Sequence, residues 1–177
     1  EHTARVIDVQ LDLMLQHGTG PDDGHWARAL RSLNVEMTEE QTLEAQKLAL
    51  TLIHDDANRF SIVASVAAAR ENARQVREQI SSEMWEQLNR LFHEVKRARP
   101  TKVFDMASMD FLRALKTGAH MFQGVTDATM THGEGWQFIQ AGRFLERAVA
   151  VSTLVGVHFR EFHRSSQTFG SGYFEWI

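Results

Sequence analysis

The stretch that decides the fold is IVASVAAARENARQVREQI at positions 62–80. Its apolar and small residues recur at alternating intervals of four and three, at Ile62, Val66, Ala69, Ala73, Val76 and Ile80. Intervals that alternate between four and three are typical of a helix that packs along a narrow seam against another helix. The segment therefore predicts an α-helix whose apolar side faces neighbouring helices.

A helical period also dominates the rest of the chain, and no convincing strand period of two occurs. The further helices that we predict cover approximately 1–16, 25–33, 38–53, 82–99, 105–130 and 136–162. Loops are predicted at 17–24 and around Pro100, which hold the two prolines, and at 132–135. The sequence thus predicts an all-α, multi-helix bundle with long antiparallel helices, whose central layer consists of the helices near 60–80, 105–130 and 136–162.

The last predicted helix aligns seven uncharged residues on one face. They are Phe138, Gly142, Leu145, Val149, Ser152, Gly156 and Phe159. Gly142 and Gly156 each lower helix stability by about 1 kcal/mol relative to alanine. Small residues on this face predict close contact with another helix as the compensation.

Composition fits one globular domain over residues 1–177, with 43% hydrophobic and 24% charged residues. The formal charge of -4 gives no general attraction to nucleic acid or an anionic membrane. The absence of cysteine excludes disulfides, thiolate zinc sites and cysteine nucleophiles. We expect a cytoplasmic domain that binds neither nucleic acid nor membrane. Because the first helix has no capping residue and 173–177 resembles a partial element, we also expect truncation at both ends.

Two predicted helices carry ordered charges that are candidates for ligand binding. The residues are Glu71, Arg74, Arg77 and Glu78 in the first helix and Arg143, Glu146 and Arg147 in the second. Arginine presents a planar fork that binds carboxylate or phosphate, so two such helices facing each other could hold an anion. Intrahelical ion pairs on solvated faces produce the same pattern and contribute only about 0.3–0.5 kcal/mol each. The sequence alone favours this structural explanation.

A second candidate region is the polar segment 124–136, in which Asp127, His132 and Glu134 lie beside Trp136. It is either the floor of a polar pocket or a corner between helices in which Asp127 and Thr129 bond to the backbone, and we favour the corner. The nine histidines show neither His-Glu-x-x-His nor Glu-x-x-His spacing, and phosphate loops and nucleophile elbows are absent. We predict no metal and no cofactor.

Several motifs resemble the bacterial alpha-E family, a helical domain of uncharacterised molecular function. They are AARENAR (68–74), REQIS (77–81), EMWEQLN (83–89), FQGVTD (122–127), EGW (134–136) and GRFLERA (142–148). The resemblance extends over the whole chain, which looks like the N-terminal half of longer members. Such members are commonly encoded beside, or fused to, circularly permuted ATP-grasp proteins, and often near transglutaminase-like proteins. The resemblance implies a place in a peptide or amide ligation and processing system.

Three functions follow as hypotheses, and the catalytic residues of the family are unknown. The first is a non-catalytic helical partner or substrate-holding module of an ATP-grasp ligase, in which the four arginines contact anions and Glu71, Glu78 and Glu146 orient them. The second is an enzyme acting on peptides or amides, which adds Asp127 and Glu134 for acid–base chemistry. The third is a purely structural interaction module. A homo-oligomer is compatible with all three.

Overall fold

The computed structural model describes residues 1–17, 24–97 and 106–164, and over these ranges the chain is all-α, as predicted. Its described elements are eight α-helices and one 3₁₀ turn, with no strand among them. The helices are α1 (His2–His17), α2 (His25–Ser32), α3 (Glu39–Leu43), α4 (Ala45–His54), α5 (Ile62–Gln75), α6 (Ser82–Arg97), α7 (Met106–Thr129) and α8 (Glu134–Arg164). Residues 18–23 of the predicted 17–24 loop, the predicted loop around Pro100 and the segment from 165 onward lie outside the described residues.

One hydrophobic core joins α1, α2 and α4 to α5, α6 and α7. Its most deeply buried large side chains include Ile7, Leu11, Leu30, Ile53 and Leu112. Helix α6 packs against both α5 and α7, while α1 contacts α2, α4 and α7. The apolar stripes of these helices therefore meet in a common interior.

The predicted helix over 38–53 is divided at Glu44, whose backbone φ of -113° separates α3 from α4. Its predicted start is confirmed, because Thr38 and Gln41 form a reciprocal capping box. The Thr38 hydroxyl accepts from the Gln41 N–H at 3.2 Å. The capping-box pattern Thr-Glu-Glu-Gln at 38–41 marks this start in the sequence, whereas the interruption at Glu44 has no comparable signal.

The prediction of a continuous helical seam from Ile62 to Ile80 was wrong beyond Gln75. Helix α5 ends at Gln75, and a 3₁₀ turn over Arg77–Gln79 follows. The chain turns here because Ser81 begins the next helix, its hydroxyl accepting from the Met84 N–H at 3.1 Å.

The prediction that α8 belongs to the central layer was also wrong. Helix α8 packs mainly against α2, and its buried side chains, such as Ala150 and Val157, lie away from the predicted face. That face is exposed instead, with 78% of Phe138 and 67% of Leu145 accessible. The seven-residue pattern identified residues that share a side of the helix but not the element that covers it.

No helix within the described ranges combines the length and the apolar character needed to span a membrane.

Candidate functional site

The first predicted charged group contains an exposed ion pair within α5. Arg74 donates to both carboxylate oxygens of Glu71, from Nε at 2.9 Å and from Nη2 at 2.7 Å. This bidentate hydrogen bond lowers the pKa of Glu71 and raises the pKa of Arg74. Because the two charges satisfy each other in solvent, the pair has the geometry of a structural contact along the helix.

The other two residues of the first charged group, Arg77 and Glu78, lie on the 3₁₀ turn after α5. Arg77 donates to the Ser82 hydroxyl at 3.2 Å. The exposed side chain of Glu78 lines a groove of about 320 Å³ between this turn and the corner that joins α7 to α8. At the edge of this groove, a 2.7 Å hydrogen bond between the hydroxyls of Ser81 and Thr129 joins the turn after α5 to the end of α7.

Arg143, in the second predicted group, is held by side chains of α7 and α8. Its Nη2 donates to Gln123 at 3.0 Å and its Nη1 donates to Gln140 at the same distance. The Asp127 carboxylate lies 3.6 Å from Nη1, and 35% of the Arg143 side chain is exposed. Two neutral amides and one carboxylate therefore orient this guanidinium while leaving part of it accessible.

The corner between α7 and α8 only partly follows the predicted hydrogen bonding. Thr129 donates to a backbone carbonyl, that of Val125, at 2.8 Å. The Asp127 carboxylate instead accepts from side chains, including the Trp136 indole N–H at 3.4 Å. The His132 ring stacks on Trp136 with 4.3 Å between centroids. Glu134 is exposed in the first turn of α8, where a carboxylate complements the helix dipole.

A polar stripe on α7 extends this network to α1. The stripe consists of Lys116, His120, Gln123 and Asp127. Glu1 accepts from Gln123 at 2.5 Å and lies 3.2 Å from the His120 Nε2. Burial alone would raise the pKa of Glu1, but Arg5 and the other nearby positive charges outweigh it, so the pKa is lowered.

Sequence reasoning did not identify most of this stripe. Lys116 forms an ion pair with Asp8, and the two residues are 108 positions apart in the chain. The four-three-four spacing of the α7 residues was the available signal, since it places them on one face of a helix. The partners on α1 could not be inferred without the tertiary structure.

The two predicted charged groups are not brought together. No hydrogen bond or ion pair within the described ranges joins Glu71, Arg74, Arg77 or Glu78 to Arg143, Glu146 or Arg147. Helix α8 packs principally on α2, whereas α5 packs on α4 and α6. A shared anion site between the two charged helices therefore has no geometric support.

Glu146 contributes to a different site, a groove of about 330 Å³ between α1, α2 and α8. Its lining consists of His2, Thr3, Ser32, Leu33, Asn34, Leu145, Glu146, Val149 and Ala150. Burial lowers the pKa of His2 more than the nearby Glu146 carboxylate raises it, which favours a neutral imidazole. Among the described residues, the buried Nε2 of His2 has no hydrogen-bond partner. The groove thus combines apolar walls with one carboxylate and one imidazole.

Arg147, the neighbour of Glu146, is exposed on another side of α8. No hydrogen bond or ion pair connects it to a residue in the described part of the chain. Consecutive residues of a helix point about 100° apart. The Glu-Arg dipeptide therefore presents an acceptor to the groove and a donor to solvent.

Within the described ranges, no three His, Asp or Glu side chains lie close enough together to hold a metal ion.

These features define the class of protein as an all-α domain with a groove next to a long peripheral helix. The chain belongs to the Alpha-E family, whose model matches residues 1–177 and is described as a predicted alpha-helical domain with a conserved ER motif. The dipeptide Glu-Arg occurs once in this sequence, at Glu146 and Arg147. No curated protein and no solved structure was found to match the chain.

Proposed function

We propose that this domain is a non-catalytic helical partner or substrate-holding module of an ATP-grasp peptide or amide ligation system. The observation that carries the proposal is the chemistry of the α1–α2–α8 groove. Glu146 is the one carboxylate in its described lining, which otherwise holds the His2 imidazole and apolar or small polar side chains. Such a surface suits the binding of a peptide segment, with Glu146 accepting from an amide N–H or an ammonium group.

In this proposal, Arg143 and Arg147 bind carboxylates, whereas Glu146 binds hydrogen-bond donors. Arg147 is directed to solvent, and Arg143 is oriented by Gln123 and Gln140 while remaining partly exposed. Both guanidinium groups can contact carboxylates of a ligase or of its peptide substrate. Arg74 and Arg77 lie on another part of the surface and would serve a separate contact.

The alternative of an independent enzyme has weaker support. Acid–base chemistry on an amide needs proton-transferring groups that converge within hydrogen-bond reach of one pocket. Glu71 is engaged by Arg74, and Asp127 accepts from Gln140 at 2.9 Å. The purely structural alternative is supported by Arg143, because its hydrogen bonds join α7 to α8.

The test is a binding titration against the ATP-grasp protein from the same source, with a transglutaminase-like protein from that source as a second candidate. Glu146→Gln and Arg147→Gln should each weaken ligase binding by about tenfold or more, as expected for the loss of a charged contact. Glu44→Gln and Arg113→Gln are matched controls, because both residues form exposed ion pairs elsewhere. Absence of binding by the unmodified chain, or equal losses in the controls, would overturn the proposal.

A further inference from the structure

We propose that a second groove binds an ammonium or guanidinium group on a short aliphatic stem, as in a lysine or arginine side chain or a free alkylamine. We call it the corner groove, because it lies between the turn after α5 and the corner that joins α7 to α8. Its lining consists of residues 78–81, residues 129–131 and Gly135. This site is separate from the α1–α2–α8 groove, and the proposal does not depend on the ligase partnership.

The charge of the corner groove is negative. Glu78 is the one ionisable side chain in the described lining, and no hydrogen bond or ion pair within the described ranges engages its carboxylate. The neighbouring Arg77 guanidinium instead donates to the Ile80 carbonyl at 3.3 Å and to the Ser82 hydroxyl at 3.2 Å. The carboxylate of Glu78 can therefore accept charge-assisted hydrogen bonds from a cation that enters the groove.

The helix ends around the corner groove also favour a cation. Helix α7 ends there at Thr129 and has no basic residue in its last turn, so no charge on that turn complements the negative pole of its dipole. The two helices that begin there, α6 and α8, each carry a glutamate in the first turn, Glu83 and Glu134. These carboxylates complement the positive poles of α6 and α8. The helix ends therefore add to the negative field of Glu78.

The paired hydroxyls of Ser81 and Thr129 have no proton left for a ligand. Thr129 donates to the Val125 carbonyl at 2.8 Å, so Ser81 must be the donor in the 2.7 Å bond between the two hydroxyls. A hydroxyl has one proton and two acceptor positions. Because the Ser81 oxygen also accepts from the Met84 N–H, one acceptor position remains on each hydroxyl. A ligand group bound to this pair must therefore be a donor, as ammonium and guanidinium groups are.

Two apolar side chains of the lining suit the aliphatic stem of such a ligand. Ile80 and Met130 are both half-buried in this region. The Met130 methyl group occupies the space beside Gly135, where an added Cβ would lie 2.9 Å from it. Lysine and arginine side chains pack their methylene groups on apolar surface while the charged end stays in a polar environment. The volume of about 320 Å³ is near the lower limit for ligand sites, roughly 300 Å³, and suits one side chain.

The test is an NMR titration of the isotope-labelled chain with small probes of defined charge. The cationic probes are butylammonium and an end-blocked Gly-Gly-Lys-Gly-Gly peptide or its arginine analogue. The neutral probe is 1-butanol, and the anionic probe is acetate. We expect saturable shifts of the amide signals of residues 78–81 and 129–131 with the cationic probes, with dissociation constants of about 1–10 mM. Butanol and acetate should produce no saturable shifts there.

A pair of matched variants connects the binding to Glu78. Glu78→Gln keeps the shape of this exposed side chain and removes its charge, so the dissociation constants of the cationic probes should rise by about fivefold or more. Glu86→Gln removes the same charge from an exposed position of α6 outside the groove lining, and its dissociation constants should match those of the unmodified chain.

Three results would overturn the proposal. They are the absence of saturable shifts with both cationic probes, binding of butanol or acetate as tight as that of butylammonium, and equal losses in Glu78→Gln and Glu86→Gln. The two cationic probes also distinguish the sources of the ligand. Tighter binding of the peptide would support a side chain of another protein, whereas equal or tighter binding of butylammonium would support a free amine.

Discussion

At the scale of single residues, two glycines of α7 have opposite surroundings. A Cβ atom at Gly118 would lie 2.6 Å from Cδ1 of Leu91, which is itself buried in the core, whereas a Cβ at Gly124 would meet nothing within 4 Å. We expect Gly118→Ala to lower the free energy of unfolding by roughly 1 kcal/mol, since crowding exceeds the gain in helix propensity. Gly124→Ala should raise it by up to about 1 kcal/mol.

Urea unfolding of the two variants measures this difference. Equal stabilisation by both substitutions would contradict the prediction and would show that Leu91 moves aside without loss of packing.

The lowered pKa of His2 predicts that the free energy of unfolding decreases on acidification. Its pKa in the folded chain is lowered from 6.5, chiefly by burial and against the opposing charge of Glu146. The unfolded chain therefore binds the His2 proton more readily than the folded chain does. The contribution of neutral His2 to the free energy of unfolding is present above pH 6.5 and is lost as pH falls through the folded pKa. We expect His2→Gln to lose less stability than the unmodified chain on acidification.

The measurement compares urea unfolding at pH 7.5 and pH 5.5 in both proteins, so that the contributions of the other histidines cancel. Identical acid-induced losses would contradict a role for His2.

At the scale of elements, the start of α5 depends on a buried cap. Ser61 is fully buried, and its hydroxyl accepts from the Ala64 N–H at 3.1 Å. Ser61→Ala should lower the free energy of unfolding by about 1 kcal/mol, because it leaves this N–H without its acceptor. Thr38→Ala removes the exposed cap of the five-residue helix α3 and serves as the comparison. In chemical unfolding, a smaller effect at Ser61 than at Thr38 would contradict the prediction.

The elements also show how far the sequence determines the fold. The apolar period predicted helices, and capping residues such as Thr38 located some of their starts. The end of α5 at Gln75 was missed, because Val76 continues the apolar period although its side chain is 42% exposed. Periodicity identifies which side chains share a face, but burial of that face depends on tertiary packing.

The candidate site could be predicted to the same extent as the fold: residues on one helix were recognisable, but contacts between distant helices were not. The Glu-Arg dipeptide at Glu146 and Arg147 was recognisable as charged residues on a helix. The contact between Gln123 and Glu1 could not be predicted, since 122 positions separate the two residues and neither residue type indicates which partner it will bind. Ligand-binding roles for the predicted arginines remain predictions that the binding titration addresses.

At the scale of the whole molecule, the buried core and the exposed face of α8 are two different surfaces. The core joins α1 and α2 to α4, α5, α6 and α7, while Phe138, Phe144 and Phe159 of α8 are exposed. In ordinary domains the deepest apolar residues determine stability, and large exposed apolar patches mark interaction sites. Helix α8 therefore contributes few side chains to the folding core despite its length.

Equivalent leucine truncations in these two places should separate the two surfaces. Leu112 is fully buried in the core, so Leu112→Ala should lower the free energy of unfolding by about 2–5 kcal/mol at any protein concentration. Leu145 is 67% exposed, and Leu145→Ala should change monomer stability by less than about 0.5 kcal/mol. Urea unfolding measures both effects, and a loss in Leu145→Ala as large as that in Leu112→Ala would show that α8 belongs to the folding core after all.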